Sequence, residues 1–229
     1  MARILVLGDT HFGARNDSIA FLEYFFKFYD NIFFPYLEAN PDIKTVIQVG
    51  DIVDRRKFIN YIVLNRFKND FIFRLKKMGI EGQSFPKFYA EPTTVNIEGC
   101  DMTMMPWINN TNYNHAMTHI KNTKAQVLFG HLDIAGFYMN KDMKSEGGLQ
   151  PKVFEGFDVV GSGHFHTKNS MGNIHYFGTP YELTWSDYND RKGFHIFDTD
   201  TRTFEFIVNP HRMFHKIFYD DKKKNLEEL

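Results

Sequence analysis

A chain of 229 residues, 43% apolar, with a mean hydropathy of −0.39 and a formal charge of −1, is an ordinary globular protein long enough for one sizeable core. Its near-neutral isoelectric point excludes a global basic field that would hold nucleic acid unaided. The single cysteine, Cys100, excludes an intramolecular disulfide and suits a reducing compartment. No apolar stretch reaches the roughly 20 residues of a membrane span. Met1, Ala2 and Arg3 lead straight into an apolar run without a signal-peptide pattern, which predicts a cytoplasmic protein, in the host cytoplasm if phage-encoded.

Residues 3–8 form the first predicted strand, closed by Gly8, and residues 18–37 a helix ended by Asn40 and Pro41. A second strand, 45–50, leads into a second helix, 58–78, stopped by Gly79. This β-α-β-α order predicts parallel strands with right-handed crossovers. Many of the 25 phenylalanines fall in these helices, from Phe21 to Phe28 and from Phe67 to Phe73. Their helical spacing predicts a packed face rather than a platform for stacking bases. The rhythm then breaks, and a short Gly/Pro turn precedes a short strand at 87–90. Residues 94–97 and 101–105 flank Glu98 and Gly99 as a hairpin. A helix at 114–122, a strand at 125–129, a loop at 133–150 and a strand at 157–161 follow. Strands at 174–177, 193–198 and 203–208 lead to a polar tail from Asp220.

Several predicted strands end in side chains that bind metals: Asp9 and His11, Asp51, His131, and His164 with His166. In α/β sheets, ligands gather beyond the carboxyl ends of the strands, so these groups are expected to share one edge. Carboxylate and imidazole together suit Mn, Fe or Zn better than Mg or Ca. Asp51, ending a central strand, is the expected bridge between two ions about 3.5–4 Å apart. Asp9, His11 and His166 then serve one ion, and His131 and His164 the other. Asp51 and His131 are counted as catalytic as well as metal-binding.

Gly8-Asp9-Thr10-His11, Gly50 to Asp54, Gly130-His131 and Gly163 to His166 resemble the signature of the calcineurin-like metallophosphoesterases. Met105 to Trp107, Gly130 to Phe137, Ser162 to Thr167 and Tyr176 to Pro180 resemble, more finely, the SbcD-type nucleases and the catalytic subunits of tailed-phage recombination endonucleases. The resemblance covers the chain to about Pro210. It implies an α/β fold with a double-β sandwich flanked by helices, a di-manganese centre, and exo- or endonucleolytic hydrolysis of DNA in recombination and repair. It also implies an SbcC-like ATPase partner and the ligand sets Asp9, His11, Asp51, His166 and Asp51, His131, His164.

Two departures qualify that expectation. The family's Gly-Asn-His segment after its third parallel strand, source of a ligand for the second ion and of a proton donor or charge stabiliser, has no counterpart here. Asn114-His115 is the one Asn-His pair, and it lies in a predicted helix. One strand-helix unit between Met78 and Phe88 is read as deleted. Residues 1–210 are therefore expected to form the nuclease domain and 211–229 a tail, with the capping domain and the ATPase-docking region absent. A catalytically silent metal- or partner-binding subunit, and a phosphodiesterase for small phosphoesters or cyclic nucleotides, are the alternatives.

Blander readings apply elsewhere. The i, i+4 pairs His115/His119 and His211/His215 are expected on polar surfaces, and His175 and His195 as hydrogen-bonded core residues. Asp54 either orients a ligand or caps the helix after it. Arg55 is the candidate phosphate contact, with exposed charge the favoured alternative. Trp107 and Trp185 read as packing residues, and Thr179 and Tyr181 as residues facing the cleft.

Overall fold

Alternate residues of a strand face opposite ways, and in the first strand the two sets are buried in different cores. The computed structural model of the protein describes residues 2–55, 57–80 and 86–218. In β1 (Arg3–Leu7), Ile4 and Val6 join a core shared with the second sheet, whereas Leu5 and Leu7 lie under helices. β2 (Thr45–Gln48) runs parallel to β1, and β9 (Gly193–Asp198) and β10 (Phe204–Val208) complete a four-stranded sheet of order β10-β9-β1-β2.

The second sheet has six strands: β3 (Thr93–Ile97), β4 (Cys100–Met105), β5 (Val127–His131), β6 (Val159–Gly163), β8 (Ile174–Tyr176) and β7 (Asn169–Met171), in that spatial order. Its middle, β4-β5-β6-β8, is parallel, and an antiparallel strand closes each side. Met102, Met104, Val127 and Phe129 meet Ile4, Val6, Ile47 and Val49 between the sheets. Leu128, Val160 and Tyr176 face outward under α3 (Tyr113–Asn122) and the segments around it. This is the double-β sandwich flanked by helices that the family resemblance implies.

Helix α1 (19–39) starts where the Ser18 hydroxyl accepts the Phe21 N–H, and it contains a π-turn at Tyr29–Phe33. Helix α2 (61–77) has a similar turn at Phe67–Ile72. Both bury phenylalanines against the first sheet. Phe12, which follows His11, lies 1% exposed among Phe26, Tyr29, Phe67 and Phe71. The packed aromatic face anticipated from the spacing thus anchors the chain beside a candidate ligand.

Several boundaries differ from expectation. α2 begins at Tyr61 rather than residue 58, because the Asn60 side chain accepts the Ile62 N–H and sets the start. β5 and β6 lie two residues later than predicted, so His131 and Gly163 belong to the strands themselves. Residues 87–90 form no strand: Tyr89 packs on the inner core, but the backbone joins no ladder. β7 was not anticipated, being only three residues long. Glu98 and Gly99 both have positive φ, as a tight hairpin requires. The deleted unit is expected between Met78 and Phe88, where residues 81–85 lie outside the described residues. Among the described residues β2 is an edge, with no strand beyond it. Residues 219–229 of the expected tail also lie outside them. The tail's start is docked, the Met213 and Phe214 N–H groups donating to Glu182 at 2.6 and 2.9 Å.

Candidate metal centre

Two loops bearing candidate ligands are joined by their backbones. After β1, the N–H groups of His11 and Phe12 donate to the carbonyls of Asp51 and Ile52, each at 2.9 Å, and Asp54 N–H donates to Phe12 at 3.0 Å. The Thr10 hydroxyl adds a bond to the Ile52 carbonyl. On the second sheet, His131 continues the inward parity of Val127 and Phe129, which aims it between the sheets. His131 is paired in register with Gly163, next to His164. A Cβ on Gly163 would collide with Asp9 Oδ1, and one on Gly50 with His131 Nδ1, so the approach of these strand ends requires glycine.

Asp9, His11, Asp51, His131, His164 and His166 all come to this edge. Two sets bring ligand atoms within 4.8 Å of one another: Asp9, His11, His166 and Asp9, Asp51, His131. This grouping gives Asp9 to both sets. His164 stands beside His131, with ring centroids 5.3 Å apart, and its backbone N–H donates to Asp9 Oδ2 at 2.8 Å. His11, Asp51 and His164 are non-glycine residues with positive φ (42°, 39° and 91°). Such conformations are uncommon and cluster where function holds them.

Hydrogen bonds to one nitrogen of each ring set the direction of the other. His131 Nδ1 lies 3.1 Å from the Val49 carbonyl, so it donates and leaves Nε2 as the acceptor of the neutral ring. His11 Nδ1 lies 3.2 Å from Asp54, with the same consequence. Both Nε2 atoms then face Asp51 Oδ2, at 3.5 Å from His131 and 3.8 Å from His11. His166 Nε2 is 3.2 Å from His11 Nε2. That pair needs either one ring proton between the nitrogens or a cation that takes both lone pairs. Asp9 Oδ1 is fully buried without a hydrogen-bond partner. An orphaned buried carboxylate oxygen beside convergent imidazoles fits a metal ion.

The electrostatics agree. Burial pushes the Asp9 carboxyl up to about 7, against the pull of His131, and the charge of Asp51 adds to the rise. Burial and the neighbouring His11 push His166 down to about 4, which keeps it a neutral ligand. For His131, burial works against the charged ring, but Asp51 and Asp9 outweigh it and the net shift is upward.

Surrounding residues resolve several readings. Asp54 orients His11, whereas Asn60 caps α2, so the capping role falls away. The Arg55 guanidinium is held by Asp17 at 3.2 Å and by Asn16, and lies over Phe58. Trp107 is more than a packing residue: 40% exposed, it stands 4.9 Å from the His164 ring and 5.6 Å from His131. Tyr181 does not face the cleft. It is fully buried, stacked on Phe25, with its hydroxyl donating to the Thr10 carbonyl beneath the ligand loop. Thr179 is buried and bonds the Tyr181 carbonyl. His115 pairs with Glu91 and His119 with Thr94 on the outside. The sequence reading missed Lys192, which is 3% exposed. It is held by Asp187 and Asp190 and donates to the His166 carbonyl at 2.7 Å. Nothing local announces it, since a lysine before a strand is ordinarily a surface residue.

With this geometry in place, a comparison with characterised proteins decides the family. The chain is 34% identical over 252 aligned positions to exonuclease subunit 1 of Enterobacteria phage T4, across 97% of this chain and 72% of that protein. The chain belongs to that family. It is therefore a member of the SbcD-like metallophosphoesterases, a family of metal-dependent nucleases, as its motifs led one to expect. The alignment has more positions than this chain has residues, so the phage T4 subunit carries residues within the matched stretch that have no counterpart here.

No family model matches the chain. Similar solved structures include an archaeal phosphodiesterase, 14% identical over 90% of this chain and 99% of that one, with a TM-score of 0.38. Zinc-bound Vps29 of Entamoeba histolytica is 12% identical over 88% of each chain, with a TM-score of 0.40. No helix among the described residues is long and apolar enough to cross a membrane.

Proposed function

We propose that this chain is the nuclease subunit of a two-component DNA-processing enzyme, and that Asp9, His11, Asp51, His131, His164 and His166 hold two divalent ions. The observation that carries the reading is the position of Asp51 Oδ2 between two imidazole Nε2 atoms whose other nitrogens are already engaged. The mixed carboxylate-imidazole donor set favours manganese, and a bound pair would supply positive charge at a phosphodiester and acidify water there.

The chain's own residues do the rest. Asp51, beside both His11 and His131, would stand between the two ions, with Asp9 common to both ligand groups. Asp54 and the Val49 carbonyl fix the tautomers of His11 and His131, and Lys192 holds the backbone of His166. Trp107 walls the side next to His131 and His164. His131, both of whose ring nitrogens are engaged, would serve catalysis through the ion that it and Asp51 hold. Arg55 is assigned only to the surroundings, because Asp17 already neutralises it.

No Asn-His pair lies between α2 and β3, and the one such pair, Asn114-His115, belongs to α3, so in this reading the second site lacks the family's further ligand and proton donor. Activity is then lower by about 10²–10⁴-fold than with a general acid in place. The same absence favours a second reading, a subunit that binds metal without turnover. The phage T4 relative is designated a subunit, which supports a partner, and we assign an SbcC-type ATPase to that place. Residues 1–210 are the nuclease domain in this reading, acting in the cytoplasm, that of the host if the chain is phage-encoded.

The test compares Mn-dependent cleavage of single- and double-stranded DNA with that of bis-p-nitrophenyl phosphate, in the native chain and in Asp51→Ala. DNA cleavage that Asp51→Ala abolishes is expected. Metal uptake in calorimetry without turnover on any phosphodiester selects the silent subunit. Cleavage unchanged in Asp51→Ala removes the assignment.

A further inference from the structure

A second cavity, of about 260 Å³, opens between the two sheets where β8 and β10 come together, and none of the candidate metal ligands lines it. Its walls carry Lys168, Arg202, His175 and His195 with the rings of Phe204 and Phe206, and no carboxylate. In a chain of net charge −1 that is a local excess of one sign. Neither cation has a carboxylate partner among the described residues. The Arg202 guanidinium meets only the Cys100 sulfur, and Lys168 Nζ stands 5.1 Å from the centre of the Phe206 ring.

His195 is the core residue that the sequence predicts, but the expected hydrogen bond is missing at Nδ1. It is 5% exposed, packed between Phe177 and Phe206, and its Nδ1 is buried with no hydrogen-bond partner. Unpaired buried polar nitrogens are rare in native interiors and mark places where a water or ligand completes the bonding. Burial, with Lys168 nearby, drives His195 down to about 3 and lowers His175. The imidazoles therefore act as neutral hydrogen-bonding groups, and the absence of acids removes support for a cation. The two long cationic side chains call for an anion, and the phenylalanines for something planar beside it. The volume is small, at the scale of one nucleotide rather than of a longer strand.

We propose that this cavity binds a nucleoside monophosphate, with its phosphate held by Lys168 and Arg202 and its base against Phe204 and Phe206. It is a site separate from the metal centre, and it requires no bound metal.

The test is calorimetric titration of the full chain in chelator with dAMP, deoxyadenosine or inorganic phosphate. One dAMP site is expected, at least about ten-fold tighter than for either fragment, since one charge-assisted bond or one ring contact is worth that much. Lys168→Ala and Arg202→Gln should each weaken dAMP by about ten-fold or more, with circular dichroism unchanged, while Asp51→Asn leaves it as it is. Absent dAMP binding, phosphate binding as tight as dAMP, affinity undiminished in both cavity variants, or affinity lost in Asp51→Asn would each overturn the proposal. Because the titration is free of metal and of turnover, its outcome is independent of the nuclease assignment.

Discussion

Replacing Asp9 by asparagine should stabilise the metal-free protein while removing its response to metal. Asp9 is fully buried, one oxygen has no partner, and its carboxyl rises from 3.8 to about 7. Below pH 3.8 the native and unfolded forms are both protonated at this group, and it costs nothing. Between 3.8 and about 7 the unfolded chain gives up the proton and the native chain keeps it, so this group's contribution falls as pH rises. At pH 8 the full difference stands, about 4 kcal/mol against the native state. Asparagine removes the charge but leaves a buried amide to satisfy, so about 2 kcal/mol should be recovered. For a chain of this size that raises the melting temperature by about 4–8 °C. Melts in chelator at pH 8 and pH 5 read the effect, which should shrink at the lower pH. Manganese at about 100 times its dissociation constant should add about 2.7 kcal/mol to the native protein and nothing to Asp9→Asn. An Asp9→Asn protein that melts lower than the native one in chelator at pH 8, or that gains equally from manganese, would refute the reasoning.

Other perturbations separate the supports of the site. Asp54→Ala frees His11 Nδ1 and should weaken manganese binding by about 10–100-fold with the fold intact; unchanged affinity in calorimetry would remove Asp54 from the site. Lys192→Met leaves Asp187 and Asp190 without their cation and should cost about 3–5 kcal/mol in urea unfolding. Adding Asp187→Asn should return part of that loss, and a loss that deepens instead would contradict the pairing.

How far the site could be read in advance depended on how local each signal is. Gly-bounded apolar runs ending in Asp or His announced both the strands and the ligands, because burial and chain reversal are decided within a few residues. The division of ligands was less legible. Asp9 reaches both clusters only because β1 lies between β9 and β2, a fact of topology. Lys192, twenty-six residues beyond His166, acts through a backbone carbonyl that no side-chain pattern reveals. Tyr181 followed a Gly178 turn as a cleft residue would, but α1 covers it. Residues 87–90 have the composition of a strand, yet a strand also needs a neighbour for its ladder.

The most direct test is a crystal structure of the protein soaked in manganese, with ions located by anomalous scattering. The account predicts two peaks flanking Asp51, one beside His11 and His166 and one beside His131. A single peak away from Asp51, or none at this edge, would contradict it.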